Sequence, residues 1–269
     1  MEGAAMKVIC IINLKGGVAK TISAINIAYT LAAKHGKRVL LIDNDKQGNT
    51  SKFFGVHSYE KPSIADVLTE QDTNTLHGAI TYTGYENMHI LPANMNLLHA
   101  DRSILIDASR PQQTRLHKAL GAMERAGYSY DFAVIDCAPD LNMSVINAIV
   151  AAQHILIPIK IDKFAFDGID TLLEQIEEMR DFNPGLQVLG GFVTMYSRNN
   201  VNLQGVEVLS DKAGLPMFAT AIRNTVKVSE TTYAGLPLAE YAPKSTAARD
   251  YEALVDEYLQ KGGGLNDKG

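Results

Sequence analysis

The chain has 269 residues, 46% of them hydrophobic and 20% charged, enough apolar material for the core of one large α/β domain. Its 25 Lys and Arg against 30 Asp and Glu leave a net charge of -5, so bulk basicity is excluded as a grip on nucleic acid and only a local patch could supply one. Two cysteines, Cys10 and Cys137, are too few and too far apart in the chain for a disulfide framework or a zinc knuckle, and no run has membrane-spanning length. The opening MEGAAMKVICIINL is unlike a secretory signal, and a reducing cytoplasm is the expected setting.

Residues 7–14 read as a short buried strand. From Lys20, the apolar positions Ile22, Ile25, Tyr29 and Ala32 recur at spacings of three, four and three, which predicts a helix ended by Gly36. Residues 38–43 predict a second buried strand, completing a strand, glycine loop, helix, strand unit with a right-handed parallel crossover. Further buried strands are predicted at 88–91, 132–136, 154–161 and 188–194. Between the last two, Ile169, Leu172, Leu173, Ile176 and Met179 share one helical face, while Glu174, Glu177, Glu178 and Asp181 fall on a solvated side. The alternation predicts a single doubly wound α/β domain over residues 1–261. Its mostly parallel central sheet carries helices on both faces, with the ligand site at the carboxyl ends of the strands. The glycine-rich residues 262–269 are expected to form a flexible tail.

Between the first strand and the first helix lies Lys15-Gly16-Gly17-Val18-Ala19-Lys20-Thr21, in the context a phosphate-binding loop requires. Its glycines let backbone N–H groups converge on phosphate oxygens, and the helix N-terminus adds positive partial charge. In such a loop Lys20 pairs with the β- and γ-phosphates and the Thr21 hydroxyl ligates Mg2+. Leu14 and Ala19 stand where the general pattern GxxxxGK[ST] has glycine. With Lys15 included, however, KGGxxKT resembles the deviant Walker A loop of the ParA/MinD ATPases. The segments VLLIDNDKQGN (39–49), YDFAVIDCAP (130–139) and ILIPI with FAFDG (155–159 and 164–168) resemble further motifs of that family in the same order.

The resemblance implies a deviant Walker A P-loop NTPase fold and slow hydrolysis of ATP with Mg2+ in a nucleotide-sandwich homodimer. Lys15, Lys20 and Asp45 are the implied catalytic residues, Lys15 reaching the partner's phosphates and Asp45 orienting the attacking water. Residues Lys15, Gly16, Gly17, Val18, Ala19, Lys20, Thr21 and Ile22 would cradle the nucleotide. Thr21 and Asp136 would hold the metal, Asp136 through water, with Cys137 packed beside it. Asp43 reads either as a loop cap or as a supporting switch residue.

Ala19 leaves two outcomes: with a helical φ the methyl group costs nothing, and with a positive φ the loop is compromised. Some plasmid partition ATPases of the family carry a bulky residue there, which implies that binding survives. Ile22 replaces a hydroxyl residue, and Lys46 and Ala138 replace prolines of the two switch-like loops. The segments TMYSR (194–198), IRNTVKVSE (222–230) and YAPKSTAARDY (241–251) extend the resemblance over nearly the whole chain. They imply nonspecific DNA binding by the ATP dimer, through Arg198, Arg223, Lys227 and Lys244, with Lys212 and Arg249 as further candidates. Arg223 could instead face the adenine. The implied partner is a ParB-like centromere-binding protein, in a nucleoid-associated cytoplasmic role without a membrane. The alternatives are a MinD-like membrane organiser, disfavoured by the acidic segment 250–259, and a nucleotide-gated scaffold with little hydrolysis.

Overall fold

Along the first strand the side chains alternate between two apolar layers. Val8, Cys10 and Ile12 are buried on one face, and Ile9 and Ile11 on the other. A strand apolar on both faces belongs inside a sheet covered on both sides, and the fold follows from that. In the computed structural model residues 5–70, 73–162, 168–199, 204–205, 207–209 and 214–263 are described. Among them seven strands form one sheet: β1 (Lys7–Ile11), β2 (Val39–Asn44), β3 (Thr81–Tyr82), β4 (Met88–Leu91), β5 (Phe132–Cys137), β6 (His154–Lys160) and β7 (Gln187–Thr194). Their order is β3-β4-β2-β5-β1-β6-β7, parallel throughout except for β3 against β4. The six strands read from the sequence all form; β3 is too short for any alternation to show. β1 stops at Ile11, short of Leu14, because Asn13 turns the chain. Its side-chain amide donates to Pro158 C=O at 2.9 Å and its Oδ1 accepts from Lys15 N–H at 2.8 Å.

One face is covered by α1 (Lys20–Ala33) and by the last helix. The other carries helices α3 (Ile64–Thr69), α4 (Thr73–Ala79), α5 (Asn96–Ile106), α6 (Arg115–Arg125), α7 (Met143–Ala151) and α8 (Ile169–Met179), while the short α2 (Asn49–Phe53) sets Phe53 against the α1 side. After β7 come α9 (Val226–Ala234), α10 (Leu238–Tyr241) and α11 (Thr246–Tyr258). The buried side of α11, with Tyr251, Leu254, Val255 and Tyr258, packs with Ile25 and Leu31 of α1 over Ile9 and Phe132. Each such side chain contributes roughly 1.5–3 kcal/mol on burial. In α8, Ile169, Leu172 and Ile176 are buried and Glu174, Glu177 and Glu178 exposed, as their period predicts. Residues 164–167, Lys212 and the tail 264–269 lie outside the described residues.

The chain between α5 and α7 is held by Asn147, fully buried on α7. Its Oδ1 accepts from Arg115 N–H at 2.8 Å and Leu116 N–H at 3.2 Å, while its amide donates to Gln112 C=O and Met143 C=O, both at 2.8 Å. Replacing it by alanine leaves buried backbone groups without partners. We therefore expect Asn147→Ala to lower stability by about 2–3 kcal/mol in denaturant unfolding; a loss below about 0.5 kcal/mol would contradict this account.

Candidate active site

The loop after β1 brings Lys20 and Thr21 to the carboxyl ends of β1 and β5. Gly17 has φ +71° and Ala19, immediately before α1, has φ +67° and ψ +30°. Of the two outcomes open for Ala19, the structure takes the strained one: its backbone is left-handed, which costs an L-residue with a Cβ roughly 1–2 kcal/mol. The conformation is held from two sides. Ala19 C=O accepts from Ser23 N–H at 2.9 Å as the first bond of α1, and the buried Thr194 hydroxyl donates to Val18 C=O at 3.0 Å. The first amides of α1 are thereby left pointing into the loop, as an anion site requires.

Lys20 is buried, 8% exposed, and its ammonium donates to Lys15 C=O at 2.9 Å. Burial pulls its pKa below the usual lysine range, against the charges of Asp136, Asp45 and Asp140. A buried ammonium held by one neutral carbonyl is poised for an anion. Lys15 turns back within its own chain and pairs with Asp162.

The carboxyl ends of β2 and β5 carry the acids, with Asp43 opposite Asp136 in the ladder. Both are buried. Burial and the charge of Asp136 push Asp43 up to about 7, against hydrogen bonds from Ser51 and Asp45. Burial also pushes Asp136 up to about 6, against hydrogen bonds from Thr50 and Thr21. Asp43 is a loop anchor, accepting from Ser51 N–H at 2.8 Å and Ser51 Oγ–H at 2.6 Å. Asp136 Oδ2 accepts from Thr50 Oγ1 at 2.7 Å, while Oδ1 is buried without a partner. That orphaned oxygen beside two threonine hydroxyls fits Mg2+, which prefers hard oxygen donors. Among the described residues no group of three His, Cys, Asp or Glu side chains could hold a metal by itself, so a cation here would rely on nucleotide and water oxygens as well. Asp45, half-buried on the loop after β2, accepts from Gln47 N–H at 2.9 Å.

On either side of the loop are two hollows. A groove of about 480 Å³ runs between Thr21, Ile22 and Asn49 and the end of α9 at Thr232–Gly235. A smaller one, about 70 Å³, is lined by Ala19, Thr194, Met195, Arg223, Asn224 and Tyr251. Arg223 thus lies beside the loop, its guanidinium clasping both oxygens of Asp250 at 2.6–3.1 Å. Lys227 pairs with Glu230 at 2.7 Å. Arg198 and Lys244 stand exposed and form no ion pair among the described residues.

Sequence reasoning missed Asn13, Thr50, Ser51 and Thr194. Thr50 and Ser51 had a signal in the turn-forming Gly48-Asn49-Thr50-Ser51; Thr194 had none, since its partner is 176 positions away. Cys10 and Cys137, distant in sequence, bring their sulfurs to 3.3 Å across β1 and β5 as free thiols, and burial pushes Cys10 well above its usual range.

A family model described as "AAA domain" matches residues 6–188. The sporulation initiation inhibitor protein Soj of Bacillus subtilis is 32% identical over 95% of this chain and 99% of its own length. The chromosome partitioning protein ParA of Caulobacter vibrioides is 33% identical over 97% of each. The chain belongs to the ParA/Soj-type ATPases. Cobyrinic acid a,c-diamide synthase from Mycobacterium smegmatis, solved with an ATP analogue and magnesium, shares this fold with a TM-score of 0.80 and 29% identity over 97% of this chain and 98% of that one. It was also solved with ADP and magnesium. Among the described residues of this ParA/Soj-type ATPase, no helix is long and apolar enough to cross a membrane.

Two outcomes follow from the site's strain and charge. In Ala19→Gly the relief of the left-handed backbone outweighs the added unfolded-state entropy, so stability should rise by about 0.5–1 kcal/mol in urea melts; a fall would refute this. Asp43 and Asp136 have folded pKa values raised above the unfolded one, so their neutral forms favour the folded state. Their contribution is full below about pH 4 and is lost as pH rises to about 7. Melting of the ligand-free protein should show that loss, and Asp136→Asn should flatten it; an equally steep mutant profile would refute the assignment.

Proposed function

We propose that this chain is a partition ATPase that binds MgATP, dimerises around it, hydrolyses it slowly and holds nonspecific DNA while ATP is bound. What carries the reading is the convergence of Lys20, Thr21 and the orphaned Asp136 Oδ1, with Asp45 on the adjoining loop. Thr21 and Asp136 would hold Mg2+, which when bound would supply positive charge against the negative charge that develops on the phosphates during hydrolysis. Lys20 would exchange the Lys15 carbonyl for phosphate oxygens, and the Thr21 hydroxyl would turn from Asp136 towards the metal. Asp45, with Oδ1 still accepting from Gln47 N–H, would orient the attacking water through its other oxygen. Lys15 would leave Asp162 and reach the partner's phosphates, so dimerisation includes the cost of breaking an ion pair within the protomer.

For DNA, the exposed Arg198 and Lys244 are better placed than Arg223 and Lys227, whose charges are met by Asp250 and Glu230. A ParB-like partner would supply site recognition and stimulate turnover, moving a plasmid, an integrated element or a chromosome. A MinD-like role on membranes finds no support in the last described helix, whose apolar side is already packed on α1.

Calorimetry with MgATP tests the first half. Wild type should bind, and Lys20→Ala should weaken binding by about tenfold or more; no heat and no thermal shift at millimolar nucleotide would sink the reading. Filter binding tests the second. Retention of DNA should need ATP and not ADP, and Arg198→Ala or Lys244→Ala, each removing one cation from a DNA phosphate, should flatten the salt dependence by about 0.9 in log-log slope. Equal retention with both nucleotides would remove the DNA half.

A further inference from the structure

Lys46 follows Asp45 directly, and Lys46 and Ala138 stand where the motifs this chain resembles carry proline. A proline ring stiffens a loop from within by holding φ near −65°, and neither lysine nor alanine does so. Beyond β2 and β5 the backbone ladder ends at a long bond, Ala138 N–H to Asn44 C=O at 3.4 Å. Past it, Lys46 Nζ reaches Asp140 Oδ2 at 3.0 Å. The other oxygen of Asp140 accepts from Asn142 Nδ2 at 2.9 Å, and Asn142 caps α7 by accepting from Val145 N–H at 2.9 Å. A hydrogen-bonded path therefore runs from Lys46 to the start of a buried helix.

The lysine is attached to a stiff turn. Asp45 accepts from Gln47 N–H through its carboxylate and from Gly48 N–H through its carbonyl at 2.8 Å. Gly48 has φ +61°, and a Cβ there would lie 2.7 Å from Ala93 C=O. Asp45 and Lys46 thus move together. Three carboxylates, Asp140, Asp45 and Asp101, act on Lys46.

We propose that Lys46 is a positioning residue: its ion pair with Asp140 ties the loop carrying Asp45 to the loop after Asp136, doing with charge what proline rigidity does in the resembling motifs. The inference rests on the ATPase reading above. Both side chains are partly exposed, 28% for Lys46 and 43% for Asp140, so the pair adds little to global stability and its loss should appear in turnover.

The test is a double-mutant cycle on the full chain, with phosphate release, the KM for MgATP and the melting temperature read for each protein. Lys46→Ala and Asp140→Ala should each lower kcat by about threefold to tenfold, with KM within about twofold and melting nearly unchanged. The double alanine variant should be no slower than either single one. The charge-swapped protein, Lys46→Asp with Asp140→Lys, should regain most of the wild-type kcat. If the single effects multiply, or the swap is as slow as the singles, the inference is overturned while the ATPase reading stands. If wild type binds MgATP and releases no phosphate, the ATPase reading falls and this inference falls with it.

Discussion

Two carboxyl groups, Asp43 and Asp136, end neighbouring strands side by side, and the sheet keeps both from bulk water. Burying charge is costly, so each must be neutral, hydrogen-bonded or paired with a cation. The surroundings are arranged around that demand. Ser51 and the Asp45 amide take the lone pairs of Asp43, which fixes the loop after β2 and the start of α2. Thr50 and Thr21 take part of Asp136 and leave one oxygen unmet. Lys20 is the nearby buried cation, and its own burial is offset in part by the charges of Asp136, Asp45 and Asp140. MgATP would bring to this site a cation for the Asp136 oxygen and a polyanion for Lys20.

The phosphate loop stores strain beside those charges. Ala19 occupies a left-handed conformation that glycine would adopt without a Cβ penalty, and it persists because Ser23, Thr194 and the hollow lined by Met195 and Tyr251 surround it. A bound polyanion would recover part of this cost by engaging the amides that the strain orients. Lys15 is held by Asp162 in the same chain, so the residue that would cross a dimer interface is already neutralised in the protomer.

Six of the seven strands, α1 and the buried side of α8 were legible because each rests on local periodicity: apolar on both faces for the strands, one face in 3.6 for the helices. The placement of Lys20, Thr21 and Asp136 at the carboxyl ends of the strands was legible because a glycine loop between strand and helix, and an acid closing a buried strand, are signalled within a few residues. β3 was not, since two residues show no period. The anchoring role of Asp43, the Thr194 brace, the Asn147 clamp and the closeness of Cys10 to Cys137 depend on partners far along the chain, and no local pattern records them.

By itself the sequence determined the fold class, the place of the nucleotide loop, the order of its carboxylates and the family, because hydrophobic period and loop spacing are properties of short stretches. Only the tertiary structure decided the backbone angle at Ala19, the pairing of Lys15, Lys46 and Arg223 with Asp162, Asp140 and Asp250, and which oxygen of Asp136 is left unmet. Those depend on where strands adjacent in space but distant in sequence set their ends. A charge, unlike an apolar period, takes its meaning from whatever stands opposite it.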